Sequence, residues 1–347
     1  MKAIVYHTYG PPNVLKLEEV EKPAPSDDQV LVKIFAASVN AADWHLLTAD
    51  IFLVAASVNA ADWHLLTADI FLVRFFSGLL KPKNTILGAD IAGRVEAVGK
   101  NIKQFQPGDE VFGDVFPYGG GGFAEYVAVP ESALALKPSN LTFEEAAAVP
   151  LAAVTALQGL RDQGRLQPGQ KVVINGASGG VGTFAVQIAK ALGGEVTAVC
   201  STGKMDMVRS LGADHVIDYT KEDFTQNGQQ YDLIVAANGY HPISAYERAL
   251  RPKGIYVMIG GSKQAQFFEA LLLGPWKSMT GHKKMGALTA KTTQKDLVFL
   301  RELLEAGRVK PVIDRTYPLH EVPEALRYLG EGHAKGKIVI TVRPNNF

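Results

Sequence analysis

Residues 171–193, KVVINGASGGVGTFAVQIAKALG, carry an apolar run into a glycine turn and out again into a periodic apolar stretch. The run at 171–174 holds two valines and an isoleucine, as in a strand covered on both faces. From Val181 onward Phe184, Ala185, Ile188, Ala189 and Leu192 recur at three-to-four spacing, which predicts a helix with one buried face. Between strand and helix lie Gly176, Ala177, Ser178, Gly179, Gly180, Val181 and Gly182. The spacing Ala177-x-Gly179-x-x-Gly182 is the dinucleotide fingerprint with alanine at its first position. Glycines let backbone N–H groups approach a pyrophosphate, and the start of the helix offers further unpaired donors. The flanking strand and helix turn a weak pattern into a specific one, so these seven residues are the expected cofactor loop.

The residues after the next strand, 195–200, select the dinucleotide. An NAD site places a carboxylate about 20 residues beyond the turn, where it accepts from the ribose 2′-hydroxyl. Here the strand ends in Cys200, Ser201, Thr202, Gly203 and Lys204, with no acid. A carboxylate would repel a 2′-phosphate, whereas hydroxyls and an ammonium bind it. Tyr219 follows a further short strand at 215–217 and is expected beside the same phosphate. NADP(H) is therefore the expected cofactor, with Ser201, Lys204 and Tyr219 around its phosphate. The plainer alternative makes Lys204 a solvated helix-start residue and Tyr219 ordinary packing.

The strand-and-helix alternation continues with strands at 232–236 and 254–259 and helices at 243–250 and 264–273. That rhythm predicts a doubly wound parallel sheet with its ligand at the carboxyl ends of the strands. Residues 1–150 read differently, as short strands at 2–6, 29–35, 91–98, 110–112 and 124–129 punctuated by glycine and proline turns. Helices near 296–306 and 322–330 and a last strand at 337–342 complete the chain. The fold class is α/β, with a nucleotide domain at 151–287 inserted into a β-rich domain formed by 1–150 and 288–347.

Composition excludes several functions. The 35 Lys and Arg balance 35 Asp and Glu over 347 residues, so no net field recruits nucleic acid or an anionic membrane. No 18-residue apolar span suggests a membrane helix, and residues 1–6, MKAIVY, read as a strand rather than a signal peptide. The lone Cys200 excludes an intrachain disulfide and fits a reducing compartment. A soluble, cytoplasmic protein acting on a small molecule is expected.

Several further motifs carry a resemblance: GADIAG at 88–93 with VEAVG at 95–99, PGDEVF at 107–112, GFAEY at 122–126, NGASGGVG at 175–182, LGADHVIDY at 211–219 and GKIVI at 336–340. In type and order they resemble the medium-chain dehydrogenase/reductase superfamily, in its zinc-free quinone oxidoreductase (zeta-crystallin-like) branch. The resemblance implies a GroES-like substrate domain, a Rossmann domain and a nicotinamide cleft. It also implies a homodimer joined along the Rossmann sheet edge near 277–282.

Zinc-dependent relatives hold a histidine-glutamate pair where this chain has Ala89 and Asp90, and they need more cysteines than one. No zinc is expected, and Asp90 is read as a local hydrogen-bonding group. The implied reaction is hydride transfer from NADPH to an electrophilic small molecule, a quinone or an α,β-unsaturated carbonyl. The alternatives are a non-enzymatic, crystallin-like NADPH-binding protein and an alcohol dehydrogenase, which the cysteine count argues against.

One feature is foreign to that pattern. AASVNAADWHLLTADIFLV at 36–54 recurs letter for letter at 55–73. Perfect identity shows no specialisation, so one copy is expected to be dispensable. The duplication makes the asparagine that the resemblance places at the nicotinamide ambiguous between Asn40 and Asn59. Continuity with the strand at 29–35 favours Asn40 as the catalytic donor to a substrate carbonyl, while continuity into 74–78 favours the second copy's 62–73 as the helix that follows it, with the segment between them extruded; an asparagine there also suits a helix cap. Thr155 is implied as a cofactor contact and reads equally as an ordinary helical threonine. The loop 118–123 is either a lip over the substrate or a plain turn.

Overall fold

A computed structural model describes residues 1–48, 82–260, 278 and 282–342. The β-branched runs become strands where the sequence expects them, and several additional short ones appear. In the N-terminal part β1 (Lys2–Val5) pairs antiparallel with β2 (Lys16–Glu19). There follow β3 (Gln29–Val39), β4 (Asp90–Val98), β5 (Glu110–Asp114), β6 (Tyr126–Pro130) and β7 (Leu134–Leu136). Helix α1 (Ala41–Thr48) leaves the end of β3. Helix α2 (Phe143–Ala147) begins at a capping box in which Thr142 and Glu145 exchange hydrogen bonds. Helix α3 (Pro150–Leu157) runs on into a π-helical turn, Gln158–Gln163.

The inserted part alternates as predicted. It comprises β8 (Lys171–Asn175), α4 (Gly180–Ala191), β9 (Glu195–Cys200), α5 (Met205–Ser210), β10 (His215–Asp218), β11 (Tyr231–Ala236), α6 (Ile243–Ala249), β12 (Leu250–Met258) and β13 (Lys284–Ala287). All neighbours are parallel in the order β10-β9-β8-β11-β12-β13, with a core of Val173, Ile234, Tyr246 and Tyr256. Strand order reverses between β9-β8 and β8-β11, which puts the ligand crevice at the carboxyl end of β8. The helix expected at 264–273 lies outside the described residues. Among the described residues β13 and β10 are the outer strands of this sheet, and the segment 277–282 named from sequence lies outside the described residues apart from Ser278 and His282.

The chain then adds α7 (Gln294–Glu305), β14 (Ile313–Pro318), α8 (Val322–Gly330) and β15 (Lys337–Thr341). Strands β14 and β15 complete a seven-stranded sheet in the order β14-β15-β3-β4-β5-β7, with β6 on β3. Its core includes Ile34, Ile91, Phe123, Leu134 and Leu326. Two compact units result: 1–151 with 292–305 and 313–347, and 152–291 with 306–312. The sequence reading put all of 288–347 in the first domain. Residues 288–291 and 306–312 belong instead to the Rossmann unit; the second stretch is held there because Gln187 on α4 bonds the Lys310 backbone from both sides, at 2.9 Å each, and Arg308 donates to the Ala191 carbonyl.

The described part of the first copy of the duplicated segment, 36–48, is built into this frame, and its Ala41–Thr48 forms the helix directly after Asn40, where the sequence reading has the segment following Asn40 extruded. Residues 36–39 finish β3, the Gly10 N–H donates to the Leu47 carbonyl at 2.9 Å, and a Cβ on Gly330 would strike the Trp44 ring at 2.7 Å. The second copy, with Asn59, lies outside the described residues. Deleting 55–73 gives the same chain as deleting 36–54, so one variant tests both assignments. The shortened protein is expected to bind its cofactor within about twofold of the parent and to melt at the same temperature or higher, because a shorter loop closes more easily. A melting temperature lower by more than about 5 °C, over 1 kcal/mol at this size, would show that both copies are built into the fold.

Candidate functional site

Asn175 ends β8, and Gly176 turns the chain with φ +83°. Any side chain there is strained, and a Cβ would lie 2.6 Å from the Asn238 nitrogen. The Asn175 carbonyl accepts from the N–H groups of Ala237 and Asn238, and its amide donates to the buried Tyr246 hydroxyl at 3.1 Å. This asparagine, which sequence reasoning missed, locks the β8 and β11 loops together. Helix α4 packs so closely on the turn that a Cβ on Gly182 would sit 2.1 Å from the Gly176 carbonyl oxygen.

Gly179 is the N-cap and brings no side-chain cap. The first helical bond runs from Thr183 N–H to the Gly179 carbonyl at 2.9 Å, so the N–H groups of Gly180, Val181 and Gly182 have no acceptor within the helix. A Cβ on Gly179 would meet only the Gly176 oxygen, at 3.8 Å, so the turn is open on that side. Ala177 and Ser178 are buried beneath it. An uncapped helix start with an open approach fits a pyrophosphate.

At the end of β9, Ser201 precedes a single 3-10 turn, Thr202–Lys204, its carbonyl accepting from Lys204 N–H at 3.0 Å, and nothing lies within 4 Å of where a Gly203 Cβ would be. Tyr219 follows β10 and is 61% exposed, with its N–H on the Cys200 carbonyl at 3.1 Å. The fold thus brings Ser201, Lys204 and Tyr219 to one end of two adjacent strands. It also brings Asp218 there, an acid the search along β9 did not reveal. Hydrogen bonds from the Thr202 and Thr220 hydroxyls hold its carboxyl down at about 2. Thr155 lies buried on α3.

The other unit contains a row of buried charge across its sheet. Register places Ser38 beside Asp90 and Asp90 beside Asp114, while Ile338, next to Lys337, pairs with Val39. Lys337 is 4% exposed and Asp90 fully buried. The Lys337 ammonium donates to Asn40 Oδ1 at 2.5 Å and lies 3.5 Å from Asp90 Oδ2. That acceptor fixes the amide orientation, and Asn40 Nδ2 donates to Asp90 at 3.0 Å and to the Ser38 carbonyl at 3.3 Å. Asp90 also accepts from the Ser38 hydroxyl at 2.8 Å and the Leu151 N–H at 2.9 Å. Asp43 accepts from the N–H groups of Asn40 and Gly88, both at 2.9 Å. Asp114 accepts from Phe116 N–H at 2.9 Å and the Thr292 hydroxyl at 2.6 Å.

Burial pushes the carboxyls of Asp43 and Asp114 up to about 7. It pushes the Lys337 ammonium down, against the pull of Asp90, Asp43 and Asp114.

Two sequence readings change here. Asn40 does not present its amide as a donor, because both hydrogens are committed to Asp90 and Ser38; nor does its side chain cap α1. It stands as a positioning residue inside the row. Asp90 does hydrogen-bond, but through partners from distant segments rather than locally. Lys337 and Asp114 were missed, although a lysine flanking the apolar run of β15 is a legible anomaly. The glycines at 119–122 form a fastened turn, with Gly122 N–H on the Gly88 carbonyl at 3.0 Å. Among the described residues no three His, Cys, Asp or Glu side chains converge as a metal-binding group, and no helix is long and apolar enough to cross a membrane.

A GroES-like sheet and a Rossmann sheet with an open dinucleotide turn define an oxidoreductase of the two-domain dehydrogenase type. The chain matches the alcohol dehydrogenase GroES-like domain over residues 48–139 and the zinc-binding dehydrogenase domain over 211–340. It is 36% identical to 2-methylene-furan-3-one reductase of Solanum lycopersicum, over 98% of this chain and 79% of that protein. It is 34% identical to the chloroplastic NADPH-dependent alkenal/one oxidoreductase of Arabidopsis thaliana, with the same coverage. The quinone oxidoreductase of Coxiella burnetii superposes with a TM-score of 0.81 at 28% identity, over 99% of each chain. The chain belongs to the medium-chain dehydrogenase/reductase superfamily, among its quinone-oxidoreductase-like members.

The relatives overturn the cytoplasmic expectation. Besides the Arabidopsis enzyme, the quinone oxidoreductase of Triphysaria versicolor and the quinone-oxidoreductase homolog of Spinacia oleracea that this chain resembles are chloroplastic. A single thiol has no partner for an intrachain disulfide in any compartment, so it carries no information on location.

Proposed function

We propose that this protein is a zinc-independent, NADPH-dependent reductase of α,β-unsaturated carbonyl compounds or quinones. The observation that carries the reading is the open, uncapped glycine turn followed by an acid-free end of β9 bearing Ser201 and Lys204. The relatives named for NADPH, alkenals and a methylene-furanone support it. Bound NADPH supplies a hydride from nicotinamide C4 to the electron-poor carbon. The chain's part is to bind: N–H groups of 180–182 to the pyrophosphate, Ser201, Lys204 and Tyr219 to the 2′-phosphate, and Thr155 to the cofactor. Reduction of an enone then needs one proton at the neighbouring carbon, taken from water, so positioning is the main source of catalysis.

Zinc independence rests on chemistry at Asp90, whose two oxygens already accept four hydrogen bonds from Ser38, Asn40, Leu151 and Lys337. A metal there would have to displace them. A homodimer through β13 is part of the same proposal, supported by the absence of an outer neighbour for that strand among the described residues.

NADPH oxidation against a panel of enones and quinones tests the activity, before and after prolonged chelation. Turnover with at least one acceptor class, unchanged by chelation and with no stoichiometric zinc, is expected from a preparation of dimeric mass. Tight NADPH binding without turnover on any acceptor would favour the crystallin-like alternative. Loss of turnover on chelation, restored by zinc, would overturn zinc independence.

A further inference from the structure

Asp218 is an acid at the strand end that the proposed function reserves for a phosphate, and its surroundings explain how both are accommodated. Its Oδ1 accepts from Thr220 N–H at 3.0 Å and from the Thr220 hydroxyl at 2.7 Å. Its Oδ2 accepts from the Thr202 hydroxyl, and the Lys221 ammonium lies 3.6 Å away. The Asp218 carbonyl additionally accepts from the N–H groups of Lys221 and Glu222, at 3.0 and 2.9 Å. Residue 218 is buried while its neighbours Tyr219 and Thr220 are exposed. Its carboxylate faces the protein and spans two separate segments. Thr202 belongs to the turn that carries Ser201 and Lys204; Thr220 adjoins Tyr219.

We propose that Asp218 is a specificity-determining positioning residue. It clamps the Ser201–Lys204 turn to the Tyr219–Thr220 segment, so that hydroxyl, ammonium and phenol converge on an adenosine 2′-phosphate. The threonines have a second effect. Three hydrogen bonds take three of the roughly four directions in which a carboxylate accepts, and the Lys221 ammonium stands 3.6 Å from Oδ2, so Asp218 competes poorly for the 2′-hydroxyl of NADH. An acid that in another setting would mark an NAD site here works for its phosphorylated counterpart. The inference rests on the proposed NADPH reading of Ser201, Lys204 and Tyr219.

Dissociation constants for NADPH and NADH, measured by fluorescence titration, test it in four variants alongside melting temperatures. Lys204→Ala examines the pocket itself and is expected to weaken NADPH at least about tenfold, the scale of one charge-assisted bond, with NADH unchanged. Asp218→Ala is expected to weaken NADPH by a similar factor and NADH by less than about twofold, because the clamp is lost but the glycine turn is not. In Asp218→Asn the amide oxygen still accepts from Thr220 and its NH2 donates to the Thr202 oxygen, so NADPH affinity is expected to return to within about threefold of the parent. Thr202→Val frees Oδ2 and is expected to shift the NADPH/NADH ratio at least about fivefold toward NADH.

A parent without NADPH preference, together with an inert Lys204→Ala, would remove the pocket reading and the clamp with it. A selective loss in Lys204→Ala combined with an unchanged ratio in Asp218→Ala would overturn the clamp alone. Equal weakening of both cofactors in Asp218→Ala would overturn it too, since the residue would then serve only the fold.

Discussion

Replacing Asp90 by alanine is expected to destabilise the GroES-like unit by about 3–5 kcal/mol, the scale for breaking a buried ion pair. The substitution strands the Lys337 ammonium, only 4% exposed, and leaves the Ser38 hydroxyl, one Asn40 amide hydrogen and the Leu151 N–H without their acceptor. Urea unfolding should show a lower midpoint, and the double variant Asp90→Ala with Lys337→Met should recover much of the loss because no charge is then buried unpaired. If the single variant unfolds at the parent midpoint, the charge row does not hold the sheet end together.

The same row predicts how stability depends on pH. Burial raises the Asp114 carboxyl from 3.8 to about 7. The folded state therefore binds a proton there that the unfolded state releases, and this contribution is complete below about pH 4. It is lost as pH rises through 7, by about 1–3 kcal/mol between pH 5 and 8. Asp114→Asn should flatten that slope and raise stability at pH 8, since an amide oxygen can accept from Phe116 N–H and its NH2 can donate to Thr292. Asp43→Asn should not help. Both Asp43 oxygens accept backbone N–H groups, and an amide NH2 would face one of them.

The second large effect is expected at Gly182. An alanine methyl would lie 2.1 Å from the Gly176 carbonyl oxygen and 2.8 Å from the Ala177 backbone, neither of which is a flexible side-chain tip. Helix α4 must then shift off the turn, at an overpacking cost of about 1–3 kcal/mol, and NADPH affinity should fall at least about tenfold, about 1.4 kcal/mol. Gly179→Ala makes the contrast. Its methyl meets only the Gly176 oxygen at 3.8 Å, so the melting temperature should hold. The methyl occupies the approach to the uncapped helix start, however, and affinity should still drop. Equal affinity of Gly179→Ala and the parent would mean that the pyrophosphate does not come to this turn.

The sequence by itself determined whatever depends on neighbours along the chain. The Rossmann turn is legible because strand, glycines and helix are contiguous, and helix periodicity and glycine spacing are local signals. The parallel sheet followed from alternation, and the cofactor class from the residues that end one strand. Short strands such as β7 and β14 escaped notice because three to six residues with few apolar partners carry little periodic signal; pairing in the sheet makes them strands.

Tertiary structure alone decided what the charged residues do. Lys337 and Asn40 are nearly three hundred residues apart, and only antiparallel pairing of β15 with β3 brings the ammonium to the amide. That contact, with Asp90 and Ser38, turned Asn40 from an expected donor into a fixed internal strut. Asp218 was invisible to a search along β9 because it comes from the neighbouring strand. A motif records the order of residues, whereas a buried charge must be neutralised by whatever group the fold delivers, from any distance along the chain.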